Sequence, residues 1–262
     1  MQQRRWTAEQ FAPFPDPIPD PSGVVTEWLC HAAIEPIAFG RWSVGPDWHL
    51  HHRVVRNDMW YCCLEGTGRV RLGAQGPWKA FAPGMLFLVP EDTVHSVELH
   101  RNVVMMNCTA HFSARIWGGL SLVRALDMGG LYAPRAGETI FPDASQALAR
   151  EEALAEPGAR TAQITLIWTV LMHVLRHEGS RLRIRAAGQL SNLAYLRPAF
   201  QLVEEQFKDP CLSVSDLAAS VNLSTVALRK RFRLATGASP ITFLRRYRID
   251  QACRRLQDAS LT

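Results

Sequence analysis

The spacing of apolar positions changes repeatedly along this chain of 262 residues, and each change marks a different kind of element. In residues 1–23, Pro13, Pro15, Pro17, Pro19 and Pro21 recur at every second position, which fixes φ, removes backbone donors and predicts an extended arm. Over residues 24–115 short β-like runs follow one another: MWYCCL, GRVRLG, MLFLVP, HSVELH and VVMMNCTAHF, with Gly and Pro between them. Many short strands with frequent turns predict a small barrel or sandwich. Residues 116–180 turn helical. DASQALAREEALAE is amphipathic, whereas TAQITLIWTVLMHVLRHE is apolar around most of its circumference and must be covered on several sides. Its two stripes, Ile164, Ile167, Leu171 and Leu175 beside Leu166, Val170 and Val174, predict a helical dimerisation segment and a homodimer. Residues 181–197 read as a polar linker.

The last stretch, 198–262, has the punctuation of short helices. Pro198 suits the first turn of a helix carrying Phe200, Leu202, Val203 and Phe207, and the Asp-Pro pair at 209–210 ends it. Ser213 caps the next helix, with Asp216 three positions on in a variant capping box. Asn222 tolerates the left-handed conformation that a tight inter-helix turn needs, Ser224 caps TVALRKRFRLAT, and Gly237 closes it. Within that helix Leu228 and Phe232 lie four apart and face a core together with Leu223. Thr225, Val226, Arg229, Lys230 and Arg233 then fall on the other side. A short capped helix, a tight turn and a second helix with a cationic outer face is the form in which a helix-turn-helix enters the major groove.

Charge sharpens this picture. Residues 181–262 carry 14 Lys/Arg against 6 Asp/Glu, a net of +8, whereas residues 1–180 carry 15 against 18, a net of −3. A near-neutral body with a basic C-terminal part points to double-stranded DNA as a polyanionic partner. The six cysteines show no C-x-x-C pair or zinc-like spacing, and adjacent Cys62 and Cys63 would face opposite sides of a strand, so a disulfide framework is not expected. The N-terminal residues lack the apolar core of a signal peptide, and ITLIWTVLMHVL is too short to span a bilayer. These features place the protein in the cytoplasm, away from membranes. No nucleophile elbow, phosphate loop or dinucleotide fingerprint is present, so no catalytic residue and no cofactor are expected.

Residues 198–256 resemble the first half of the DNA-binding domain of AraC/XylS-type transcription regulators. The resemblance rests on L-A before the turn, S-x-x-x-L-x-x-x-F in the second helix, G-x-S-P, and R-x-x-x-A in the long helix that Ser239 caps and Pro240 opens. It departs from the family at Asn222, where Gly is usual. By position it implies that Thr225, Val226, Arg229 and Lys230 meet DNA on the base-reading helix, and that Arg231, Arg233, Arg245 and Arg246 touch phosphates. Family members carry a second helix-turn-helix after the long helix. The closing residues Leu261 and Thr262 repeat the opening Leu212–Ser213, so the sequence is expected to stop at the cap of that second unit, with Ile249 and Leu256 left exposed.

GPDWHLHHR, YCCLEGTGRV and FAPGMLFLVPEDTVH resemble a cupin-type barrel, as sensor domains of that family have. The expected fold class is thus a multidomain α+β chain: an N-terminal cupin-like β-barrel with the helical dimerisation segment, then an all-α, partial helix-turn-helix domain. Candidate residues for a small-molecule effector are Trp48, His49, His51, Trp60 and His95, aromatic and imidazole groups suited to a ring or sugar. The alternative is a metal-dependent cupin enzyme of dioxygenase or isomerase type. His49 and His51 share a strand face and His95 offers a third nitrogen, but the carboxylate of a cupin metal set is missing, with Val55 and Arg56 in its place. His173 and His177 are spaced i, i+4 without a third ligand. The reading carried forward is a ligand-responsive DNA-binding regulator that holds no metal.

Overall fold

The computed structural model describes residues 24–117, 119–177 and 179–259, so the expectations for the proline-rich arm and for Leu261 and Thr262 lie outside the described residues. After a short helix, α1 (Val24–Cys30), come eight strands: β1 (Ala33–Val44), β2 (His49–Arg53), β3 (Asp58–Glu65), β4 (Gly68–Leu72), β5 (Lys79–Phe81), β6 (Leu86–Val89), β7 (His95–Leu99) and β8 (Met105–Ile116). They form two antiparallel sheets. One contains the order β1-β8-β3-β6 and the other β2-β7-β4-β5, which is the double-sheet jelly roll that cupins share. The barrel runs further than residue 115. β9 (Leu120–Ser121) pairs with β8, and after α2 (Leu122–Ala125) the strand β10 (Gly130–Tyr132) adds to β6, so the segment expected to be helical contributes to the first sheet.

Alternation along β3 shows how one sequence serves two cores. Met59, Tyr61 and Cys63 point between the sheets, into a cluster with Val70, Phe81, Phe87, Val89, Val97 and Met105. Trp60 and Cys62 point out of the sheet, into a second cluster covered by helices. Residues of opposite parity on a strand must face opposite ways, and all six cysteines are free. In the EGTG turn, Gly66 takes φ +85°, and a Cβ there would meet the Val104 carbonyl at 2.5 Å, so the hairpin admits no side chain at that point.

Helices α3 (Ile140–Leu154) and α4 (Ala159–His177) cover the outer face of the first sheet. Ile167, Val170, Leu171 and Val174 of α4 are fully buried in the chain's own core, so each expected stripe gives two residues to it. Ile164, Trp168, Met172 and Leu175 remain half-buried, and Thr161, Thr165 and Thr169 form the exposed side. Residues 181–197, read as a linker, are helical: they lie inside α5 (Gly179–Gln206). Pro198 does not open that helix but sits within it, on its exposed side. Leu193, Leu196, Phe200 and Val203, all fully buried, form a stripe at helical spacing that carries the helix through the proline.

Three further helices follow, α6 (Val214–Ala219), α7 (Thr225–Thr236) and α8 (Pro240–Ala259). Phe200, Phe232 and Phe243 meet with ring centroids 5.1–5.4 Å apart and join α5, α7 and α8. Ile249 and Leu256 on α8 are 61% and 72% exposed. The outer cluster is continuous from the sheet through α4 and α5 to Phe243 and Leu244, so a single core underlies both halves of the chain. Among the described residues, no helix is long and apolar enough to cross a membrane.

Candidate functional site

Two surfaces carry chemistry, one on α6–α7 and one inside the barrel. Ser213 caps α6 in a full capping box: its hydroxyl accepts from the Asp216 amide, and the Asp216 carboxylate accepts from the Ser213 amide at 2.8 Å. The Ser213 hydroxyl, donating to the carboxylate at 2.7 Å, and then the Ser213 amide hold the Asp216 carboxyl below the usual range. The turn passes through Asn222 at φ +51°, a left-handed position that Asn accepts at low cost, and the Leu223 amide closes it on the Ala218 carbonyl. The Tyr195 hydroxyl of α5 donates to the Val221 carbonyl at 2.9 Å and ties the turn to the core. Ser224 caps α7, and Gly237 ends it at φ +73°.

This frame sorts the side chains of α7. Leu228 and Phe232 are fully buried, while Val226 is 74% exposed and Arg229, Lys230 and Arg233 stand in solvent. Thr225 is half-buried. The cations expected to meet phosphates divide. Arg233 on α7 and Arg245 on α8 are exposed, Arg231 lies 4.5 Å over the Tyr195 ring, and Arg246 is ion-paired to Asp92 of the barrel at 2.8 Å.

The five candidate effector residues divide: Trp48, His49 and His51 line one open cleft of about 440 Å3 with Asp47 and Glu98, while Trp60 and His95 lie apart from it. His49 and His51 lie side by side, with ring centroids 5.0 Å apart, but on the solvent face of the second sheet, where Glu98 meets His51 at 3.3 Å and Arg69 at 2.5 Å. The inward position of that strand belongs to Leu50, which pairs with Val97. Trp60 is buried on the helix-covered face and donates to Ser145 at 3.1 Å. Trp48 is half-buried against the inner cluster. His95 alone of the three histidines lies between the sheets, so the three-nitrogen set is not assembled and these residues do not fit a cupin metal. Among the described residues no group of three His, Cys, Asp or Glu side chains is placed to hold a metal ion. His173 bonds Glu138 at 3.2 Å.

The barrel's polar interior is a different set. A bulge at His52, φ +51°, shifts the register so that Arg53, not His52, lies opposite His95 and turns inward. Arg53 donates to the Tyr61 hydroxyl at 3.1 Å, and that hydroxyl lies 3.2 Å from His95 Nε2. His95 Nδ1 sits 3.3 Å from the Thr93 carbonyl. A carbonyl only accepts, so Nδ1 carries the proton and Nε2 accepts from tyrosine, a directional chain from Arg53 to the backbone. Burial first, and the Arg53 charge after it, pull His95 down to about 4, which keeps it neutral. His111 is lowered for the same two reasons, and its Nδ1 donates to Asn57 at 2.9 Å. Its Nε2 and the remaining Arg53 donors have no partner among the described residues. A half-buried guanidinium without a carboxylate beside an open imidazole acceptor suits a ligand carrying a carboxylate or hydroxyls. On the same strand face Trp42, 56% exposed, donates to Thr109 at 2.9 Å and folds over Gly40 as an aromatic shelf. Cys62 and Cys63 offer no nucleophile, since burial pushes their thiols up to about 12 and about 11.

The sequence contains the signal for this arrangement. In HLHHR the apolar Leu50 marks the inward parity, so its neighbouring histidines belong outside. What alternation does not reveal is the extra residue that brings Arg53 in.

No family model matches the sequence and no curated protein does. Among solved structures, Bacillus subtilis oxalate decarboxylase, described with Mn(II) centres, aligns at 16% identity over 29% of this chain and 21% of its own, with a TM-score of 0.27. An RmlC-like cupin with a double-stranded β-helix fold from Methanocaldococcus jannaschii aligns at 8% identity over 30% of this chain and 78% of its own, TM-score 0.26. A protein described as a predicted oxalate decarboxylase, from Thermotoga maritima, aligns at 18% identity over 29% and 66%, TM-score 0.27. This chain therefore spans about a fifth of the length of the Bacillus enzyme. With TM-scores of this size, the strand order of the two sheets is the ground for the cupin-like assignment.

Proposed function

We propose that this chain is a ligand-responsive, sequence-specific DNA-binding transcription regulator. The observation that carries the reading is the division of α7. Leu228 and Phe232 anchor it, Ser213, Asn222 and Ser224 set its angle to α6, and the opposite side presents Val226, Arg229, Lys230 and Arg233 to solvent. That is the arrangement by which a helix-turn-helix lays cations and a small apolar group into a major groove.

The barrel then serves as the sensor. The effector site is Arg53, Tyr61, His95 and His111 with Trp42, which keeps His95 of the expected set and leaves out Trp48, His49, His51 and Trp60, and it acts by favouring one arrangement of the two halves over another. A homodimer forms through the half-buried Ile164, Trp168, Met172 and Leu175, and it pairs two DNA-binding units on one operator.

Selection of bound duplexes from a random DNA pool, with and without a panel of small carboxylates and sugars, tests the reading. Recovery of one motif, with occupancy that changes on adding a panel member, is the expected result. A pool no different from the input after repeated rounds would refute it. Loss of the effector response in Arg53→Gln, with the motif unchanged, would locate the sensor in the barrel.

A further inference from the structure

Between the barrel and the C-terminal helices lies a cleft of about 620 Å3, continuous with a neighbouring one of about 430 Å3 through the shared residues Asp92, Arg124, Thr236, Ala238 and Arg246. Each lies within the size range of small-molecule pockets. One wall comes from the barrel (Arg56, Glu91, Asp92, Arg115) and α2 (Arg124), the other from the end of α7 and the start of α8.

The cations of this cleft are not equally occupied. Arg115 is saturated: it pairs with Glu91 at 2.6 Å and donates to the Ser113 hydroxyl and the Gly119 carbonyl. It belongs to the wall. Among the described residues Arg246 is held by Asp92 alone. The side chains of Arg56, Arg124 and Arg233 have no acceptor among the described residues, and Arg124 is half-buried. In the smaller part of the cleft, Arg124, Arg233 and Arg246 converge against a single carboxylate, Asp92, beside the hydroxyls of Thr236, Ser239 and Thr242. Arg124 is partly out of water with nothing to bond, which is costly; Arg233 is exposed and Arg246 is paired with Asp92, and three guanidiniums around that one acid leave the smaller part of the cleft net positive.

We propose that this cleft is a second ligand site, built for a small dianion, either a phosphate monoester or a dicarboxylate, held between the barrel and the C-terminal helices. One anionic group meets Arg124 and Arg233, and the ligand competes with Asp92 for Arg246. Because its contacts come from both walls, occupancy favours the arrangement in which they face each other, and it draws Arg233 and Arg246 away from any other polyanion. The proposal goes beyond the barrel effector site, and the titrations that can support it contain no DNA, so its success or failure is separate from that of the regulator reading.

The test is isothermal titration of the full chain with inorganic phosphate, glycerol phosphate and succinate in a chloride buffer. Saturable binding of at least one probe is expected, with succinate or the two phosphates preferred according to which chemistry the site serves. Arg124→Gln removes a charge-assisted bond and should weaken binding about tenfold or more. Asp92→Asn keeps the side-chain shape but removes the competing charge, and should tighten binding, an effect that a merely structural role for Asp92 does not produce. Absence of saturation by every probe, an unchanged affinity in Arg124→Gln, or no tightening in Asp92→Asn overturns the proposal. An equal loss in Arg53→Gln would put the anion in the barrel and overturn it too. So would a result in which no probe saturates while Arg124→Gln and Arg233→Gln weaken binding to random duplex DNA, since the cations would then serve the nucleic-acid backbone.

Discussion

Arg229 and Lys230 stand in solvent on α7 without a partner among the described residues, and this isolation sets what their removal should do. In the proposed role of base-edge readers, Arg229→Ala and Lys230→Ala should each cost about 1–3 kcal/mol at a favoured base pair and relax preference there. Arg245→Ala should weaken all sequences alike and lower the slope of log affinity against log salt by about one. Competition binding on selected and random duplexes separates the two, and equal losses on both for Arg229→Ala would remove it from the reading face. His95 yields a prediction of a different kind. It titrates at about 4 when folded, against 6.5 unfolded. As pH falls through that interval the unfolded chain takes up the proton and the folded chain does not, so stability is lost, by about 3 kcal/mol over the whole window. Asp58 acts oppositely. Its burial, with Glu91 nearby, pushes the carboxyl up to about 6 from 3.8. The folded chain therefore protonates first, and stability is lost as pH rises from about 4 to 6. The two slopes oppose each other in that range. His95→Gln leaves only the second, so from pH 7 to 4 it should gain on the wild type by about 3 kcal/mol in urea unfolding. A constant difference across that range would mean that His95 titrates normally.

At the scale of elements, α4 distinguishes burial from association. Leu171 is wholly inside the chain, so Leu171→Glu should unfold the protein and reports nothing on assembly. Trp168 is half-buried on the remaining apolar stripe with Ile164, Met172 and Leu175. Trp168→Glu should convert dimer to monomer in sedimentation at micromolar protein while leaving the fold intact by circular dichroism; an unchanged assembly state would exclude this stripe. The same helix shows what a sequence reveals and what it withholds. The apolar periodicity of 164–175 announces a helix covered on several sides, but periodicity cannot say whether a cover is another copy or the chain's own sheet. The short helices around Ser213, Asn222, Ser224 and Gly237 are legible because capping and left-handed turns depend on local chemistry. α5 is less so, since GSRLRIRAAGQLSN is polar, and the stripe Leu193, Leu196, Phe200 and Val203 begins only at its far end. Pro198 reads as a helix start because the ring resists an interior site, and that preference yields here to burial of the stripe. The barrel site is half legible: the sequence shows the histidine pair, and Leu50 decides the face that pair occupies.

At the scale of the molecule, the outer cluster runs without a break from Phe112 of the sheet to Phe243 of α8. The junction is closed further by Arg197 over the Trp117 ring and by Tyr247, whose ring a Cβ on Gly119 would meet at 3.0 Å. Sequence texture separates the chain into a β half and an α half, but texture does not report which apolar faces meet. A shared core makes the halves unfold together. Calorimetry should therefore show one transition whose van't Hoff and calorimetric enthalpies agree, and two resolved transitions would mean that the halves are independent. Gly119→Val, strained at φ +89° and driven against Tyr247, should separate them and divide that transition in two.

The bulge at His52 has one more consequence. A strand is read two residues at a time, much as a message is read in a frame, and an extra residue shifts everything downstream of it. Here the shift decides that a guanidinium, not an imidazole, faces the barrel interior. The shift depends on a backbone torsion that a β-branched residue resists. His52→Val would favour the unshifted frame, turning position 52 inward and Arg53 out, whereas His52→Gly would keep the frame as it is. The chemistry of the barrel is thus written partly by a residue whose side chain lies outside it.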